Sequence, residues 1–291
     1  MSPRTAGEWV LYLATLATLG LAWLDPTVLR PAPAIQYLVV WDISLSMATR
    51  DEGGRSRLDA AREQFRRILP HLPPSARLSL GGFVGRTVQI FLLSVPVQER
   101  PLIEDALGVL DVRNAWDVGS RIDEGLRDIA HQMMGSPLHP LTGPRPGPYV
   151  RVLPTPLNIF FFTDGGGEDV RRTLPEDLVA WLRQTARVTF IGVGRPWDSP
   201  VPDGDQGDCL RDRQGRCFTS RLNEENLRAL ADAVGGHYAR LGTSRDLLEL
   251  FRRQPLRSDP VPTRRSMGWA FALGALGLFM GRVLLVDGPP F

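Results

Sequence analysis

Seven consecutive residues, Leu157 to Thr163 (LNIFFFT), are almost without polar character. A run this continuous reads as a central strand buried on both faces. Ile35–Trp41 (IQYLVVW) is a second such run. Around them the period changes from strand to helix and back. Arg57–Leu69 places Leu58, Ala61, Phe65, Ile68 and Leu69 on one face, which is a helical pattern. Arg77–Phe83 and Thr87–Leu93 read as a hairpin. Helices are expected over Pro101–Leu110, Ser120–Met134 (stripe Ile122, Leu126, Ile129, Met133), Leu174–Thr185, Glu224–Val234 and Ser244–Arg253. Val188–Val193 is a further strand and Gly236–Leu241 a short edge strand. Such alternation means an α/β fold with a mainly parallel sheet and helices on both faces. Two segments break it: Gly135–Pro156, a Pro- and Gly-rich surface loop, and the polar insertion Arg195–Arg221 with Asp198, Asp203, Asp205, Asp208 and Asp212.

The 291 residues are 43% hydrophobic and 23% charged, ordinary for a globular chain and too polar for a polytopic membrane protein. A net charge of +2 gives no case for nucleic acid as partner. All 34 basic residues are Arg, so a Schiff-base or P-loop lysine is excluded. Four His and two Cys make a zinc site of the usual kind a poor expectation.

The chemistry gathers at strand ends. The first strand opens into Asp42-Ile43-Ser44-Leu45-Ser46, and the LNIFFFT strand ends in Thr163-Asp164-Gly165. In open α/β sheets ligands bind beyond the carboxyl ends of the strands. Two carboxylates and two hydroxyls there are hard oxygen donors, suited to Mg²⁺, Ca²⁺ or Mn²⁺. The bland alternative is that Asp42 and Asp164 cap turns and helices.

With these motifs, Ile35–Phe251 resembles a von Willebrand factor A (VWA) domain. The resemblance implies a Rossmann-like, doubly wound fold and a metal-ion-dependent adhesion site (MIDAS) with Asp42, Ser44, Ser46 and Asp164 as ligands to a divalent cation, Mg²⁺ or Ca²⁺. The family's loop threonine is missing. Trp116 stands in its place within Asn114–Ile122, leaving Asp117, Ser120 or a water to supply that oxygen. Trp116 itself is a candidate partner anchor, a lid over the metal loop, or core packing. Arg113–Gly119, Ile191–Gly194 with Pro200–Pro202, and Leu222–Leu241 are similar to membrane-bound VWA proteins of bacterial methanol-oxidation clusters. Those accompany MoxR-type ATPases and are implicated in assembling, or loading calcium into, a periplasmic quinoprotein methanol dehydrogenase. The Bat aerotolerance proteins share the architecture.

At the ends, Trp9–Leu24 is sixteen residues without a charge, and Met267–Val286 is interrupted only by Arg282. Both are expected to be transmembrane helices, with a cleaved signal peptide the rival for the first. The organisation expected is an anchor over 1–30, the VWA domain over 31–254, a Pro- and Arg-bearing linker over 255–266 and a second span over 267–286. Cys209 and Cys217 flank seven residues in the polar insertion. A disulfide is the simpler reading and a metal pair the alternative; a disulfide would imply an oxidising compartment. Arg252, Arg253, Arg257, Arg264 and Arg265 argue for a cytoplasmic side. The cysteine pair and the resemblance argue for a bacterial inner-membrane protein with a periplasmic domain, which is the reading adopted.

The functional expectation is a non-enzymatic, membrane-anchored module that binds a partner protein through the metal, as an assembly or metal-insertion factor. A Bat-like stress protein, a metal-dependent hydrolase and an adhesin are the alternatives. His71, His131, His139 and His237 are placed away from the motifs, which leaves a hydrolase without a base.

Overall fold

The continuous apolar runs form the middle of the sheet. The computed structural model describes residues 3–51, 54–115, 117, 119–134, 157–166, 174–204, 208–253 and 257–286. In chain order the elements are α1 (Pro3–Leu24), β1 (Thr27–Asp42), α2 (Arg57–Ile68), β2 (Ala76–Val84), β3 (Thr87–Pro96), α3 (Arg100–Val109), α4 (Ile122–Met134), β4 (Leu157–Thr163), α5 (Glu176–Thr185), β5 (Ala186–Gly192), β6 (Ser199–Pro200), β7 (Thr219–Ser220), α6 (Glu224–Val234), β8 (His237–Arg240), α7 (Ser244–Arg253), β9 (Arg257–Ser266) and α8 (Gly268–Val286). A 3₁₀ turn, Leu45–Ala48, follows β1. The chain divides into two compact units, 33–259 and the two ends together.

In the larger unit the strand order is β3-β2-β1-β4-β5-β8. Along this path, among the described residues, only the β2–β3 hairpin is antiparallel; β1 runs parallel to β2 and β4, and β5 to β4 and β8. The period of two sorts each continuous run onto two faces. Tyr37, Val39 and Trp41 of β1 join Phe160 and Phe162 of β4 in one core, against Phe65 of α2, Ile103 of α3 and Phe251 of α7. Leu38 and Val40 join Ile159 and Phe161 in the other, against Leu126 of α4, Leu182 of α5 and Leu227 of α6. Aromatic stacking closes the first core: Trp41 lies over Phe162 with centroids 4.3 Å apart, and Phe160 over Phe251 at 3.8 Å. Both central strands are covered on both sides, which explains why neither shows a polar face.

Helix starts follow local chemistry. Ser56 caps α2 by accepting from Asp59 N, and Asn223 caps α6 by accepting from Asn226 N. Gly235 ends α6 with φ 65°. α4 begins at Ile122 rather than at the expected Ser120, because Ser120 makes a bridge with Gly85 and Arg121 N donates to Gly85 O. The polar insertion is a small antiparallel structure: β6 pairs with β7, and Cys209 and Cys217 are joined as a disulfide with Cα atoms 5.5 Å apart.

In the terminal unit α1 and α8 pack on each other, and Asp25 connects them. Asp25 follows α1 with φ 44°, and its carboxylate accepts from Gly268 N at the start of α8 at 2.9 Å and from Ser266 Oγ. Among the described residues no helix is long and apolar enough to cross a membrane. The spans expected over Trp9–Leu24 and Met267–Val286 are therefore not shown by this structure. The segment expected as a linker is corrected: Arg257–Ser266 is β9, paired with β1. Pro260 and Pro262 hold their backbone extended, so the segment suits an edge strand. The Gly135–Pro156 loop lies outside the described residues.

Candidate metal centre

β1 and β4 lie side by side, so their carboxyl ends meet. Trp41 pairs in register with Phe162, which brings Asp42 beside Thr163 and Asp164. Chain connections leave β1 toward β2 on one side, while β4 lies on its other side. The site therefore sits at the switch point of the sheet, where ligands of open α/β folds bind.

Asp42 is fully buried. Its Oδ1 accepts from Ser44 N at 2.9 Å and its Oδ2 from Thr163 Oγ1 at 2.6 Å. Ser44 and Ser46 share a hydrogen bond between their hydroxyls at 3.0 Å, and Ser120 Oγ donates to Ser44 Oγ at 3.3 Å. Asp164, also fully buried, accepts from Gly166 N on Oδ1 at 3.0 Å. On Oδ2 it accepts from Arg57 Nη1 and Ser220 Oγ, each at 2.9 Å. Burial first, and then the charge of Asp164, push the Asp42 carboxyl up to about 6, against hydrogen bonds from Ser44 and Thr163 that pull it down.

The four ligands expected from the motifs are thus together, and of the two expected stand-ins for the missing threonine Ser120 joins them. Asp117 is exposed and packs its carboxyl group against Gly85 in the turn between β2 and β3. Trp116 lies outside the described residues. Three participants carried no signal in the motifs: Thr163, Arg57 and Ser220. Thr163 was visible beside Asp164 but its hydroxyl faces Asp42. Arg57 is the first residue of an amphipathic helix, and Ser220 belongs to the insertion.

The donor set fits a hard divalent ion. Asp42, Asp164 and the hydroxyls of Ser44, Ser46 and Ser120 are all oxygen donors, of the kind Mg²⁺ and Ca²⁺ take. A Cβ built on Gly166 would stand 3.0 Å from Asp164 Oδ1 and 3.6 Å from Ser120 Oγ, so the glycine keeps this side of the cradle open. Among the described residues no group of three or more His, Cys, Asp or Glu side chains is arranged to hold a metal ion. The cradle offers two carboxylates, and hydroxyls must make up the rest.

No family model and no curated protein matches the chain. Solved structures do match it in shape. An aerotolerance-related membrane protein from Bacteroides fragilis NCTC 9343, carrying multiple mutations to serines, is 19% identical at a TM-score of 0.58, over 76% of this chain and 98% of that one. The conserved hypothetical protein BatB from Bacteroides thetaiotaomicron is 21% identical at 0.56, over 76% and 96%. A von Willebrand factor type A protein from Catenulispora acidiphila is 17% identical at 0.47, over 78% and 43%. At 19% and 21% identity the first two likenesses speak for the fold alone. The mostly parallel six-strand path β3-β2-β1-β4-β5-β8 of this chain's sheet fits the Rossmann-like VWA type.

Proposed function

We propose that this chain is a non-enzymatic, cation-dependent module for binding a partner protein. Asp42, Ser44, Ser46, Ser120 and Asp164 hold Mg²⁺ or Ca²⁺, and a carboxylate of the partner completes the ion's shell. One observation carries the reading: two fully buried carboxylates and three hydroxyls converge where β1 and β4 end. Mg²⁺ takes about six oxygens, so this set leaves room for a ligand from outside. Hydrolysis would ask for a base or nucleophile beside the ion. The groups nearby are carboxylates already engaged by Ser44, Thr163 and Arg57.

The names of two neighbours, an aerotolerance-related membrane protein and BatB, support a place beside the Bat aerotolerance proteins. The alternative, an assembly or metal-insertion factor for a periplasmic quinoprotein methanol dehydrogenase acting with a MoxR-type ATPase, rests on the sequence resemblance. Association with a membrane is supported by the apolar residues that the terminal helices expose, among them Trp9, Leu13, Leu16, Leu273 and Phe279. The Cys209–Cys217 disulfide supports a periplasmic domain.

Calorimetric titration of the full chain with Mg²⁺ and Ca²⁺ tests the site. The unaltered chain binds one ion and Asp42→Ala none. Equal binding by both overturns the reading.

A further inference from the structure

Arg57 is an uncommon side chain for its position. It opens an amphipathic helix, where an Arg ordinarily reaches solvent, yet its side chain is 1% exposed. Its fork is anchored twice on Asp51: Nε donates to Oδ2 at 2.6 Å and Nη2 to Oδ1 at 3.2 Å. Nη2 also donates to Ser220 O at 3.1 Å. Only Nη1 turns to the cation cradle, where it donates to Asp164 Oδ2 and, at 2.8 Å, to Ser220 Oγ. Asp51 is itself fixed from the insertion side by Arg195 N at 3.1 Å. The Asp51 carboxyl is raised by burial but held below its ordinary range by the Arg57 and Ser199 hydrogen bonds and the Arg57 charge.

This arrangement separates two duties. The bidentate pair with Asp51 holds the guanidinium in place whatever Asp164 does. The single bond to Asp164 supplies positive charge to a carboxylate that would otherwise be buried and unpaired, which is strongly unfavourable. Arg57 pairs with Asp51 and Asp164, and Asp42 lies within reach of the Asp164 charge, so with all four groups ionised two negative charges remain, the charge a divalent ion cancels.

We propose that Arg57 is the resident counter-ion of the cradle: it neutralises Asp164 when no divalent ion is bound and yields that carboxylate when one binds, while Asp51 retains it. The inference rests on the cation reading and adds a positioning residue to it. Arg57 touches no ion. It keeps the empty cradle folded and lowers the affinity, so that capture of the ion and of a partner stays reversible.

The test uses the full chain in two measurements, thermal melting with chelator or with saturating Mg²⁺ or Ca²⁺, and titration with the metal alone. Arg57→Gln melts below the unaltered chain in chelator, and the cation raises its Tm by more than it raises that of the unaltered chain. Its cation affinity increases about tenfold or more, because a positive charge has left the site. Equal loss of Tm in both conditions, with unchanged affinity, makes Arg57 a structural cross-link and overturns the proposal. Asp51→Asn keeps the question decidable if Arg57→Gln does not fold. Loss of the anchor leaves Arg57 to Asp164, and cation affinity falls about tenfold; unchanged or raised affinity overturns the proposal. A chain whose unaltered form shows no cation response removes the cation reading itself. A response that Arg57→Gln leaves unchanged removes only the role of Arg57.

Discussion

Thr163 donates its hydroxyl to Asp42 Oδ2 across 2.6 Å, joining the carboxyl ends of β4 and β1 within a fully buried pair. The bond favours the ionised carboxyl, since it is among the contacts that pull Asp42 down. Thr163→Val keeps the shape and removes the donor. The Asp42 carboxyl then titrates above its present value of about 6, and cation affinity at pH 6 falls several-fold while the loss narrows at pH 8. Calorimetric titration at the two pH values checks this; an equal loss at both assigns Thr163 a packing role.

The raised carboxyl of Asp42 also sets a slope in stability. Its folded value, about 6, lies above the 3.8 of an ordinary Asp, so the native chain holds this proton more tightly than the unfolded chain. The contribution is present in full below about pH 4 and is lost as pH rises through about 6. Without a cation, Asp42→Asn is expected to gain about 2–3 kcal/mol over the unaltered chain at pH 7 and to lose this slope. Cation binding needs the ionised form, so affinity in the unaltered chain rises over the same interval. Melts in chelator from pH 4 to pH 7 decide it, and parallel curves for the two chains would refute it.

Two glycines make opposite forecasts. A Cβ on Gly236 would stand 2.2 Å from Val188 O, a backbone atom that cannot move without disturbing β5. Gly236→Ala is expected to cost about 1–3 kcal/mol and to loosen β8. Gly108, in α3, has nothing within 4 Å of the same position. Gly108→Ala is expected to gain about 0.5–1 kcal/mol, since the helix no longer carries the entropy of a glycine. Chemical denaturation of both variants reads the difference in sign.

Phe251 closes one face of the sheet. It stacks on Phe160 at 3.8 Å, meets Tyr37 at 5.2 Å, and its carbonyl accepts from Tyr37 Oη at 2.9 Å. Phe251→Ala is expected to cost about 3–5 kcal/mol. Tyr37→Phe loses only the hydrogen bond, about 1 kcal/mol. Denaturation midpoints for the two variants rank them, and a Tyr37→Phe loss as large as that of Phe251→Ala would contradict the account.

The sequence alone determined whatever depends on neighbours within a turn or a strand. The 3.6 period of α2 and the bounds of α6 and α7, Glu224–Val234 and Ser244–Arg253, follow from local spacing and capping. So does the cluster Asp42, Ser44 and Ser46, because five residues leaving one strand end cannot separate far. Asp164 was legible because it follows a run that only a central strand explains. Tertiary structure decided the rest. Arg57 meets Asp164 across 107 positions and Ser220 across 163, and nothing near Arg57 in the chain distinguishes it from a solvated helix residue. The Arg257–Ser266 segment became a strand only because β1 offers it an unpaired edge. Sequence spacing encodes which side chains share a face. Which faces, edges and charges then meet depends on the order of strands in the sheet, and that order is settled by burial over the whole chain.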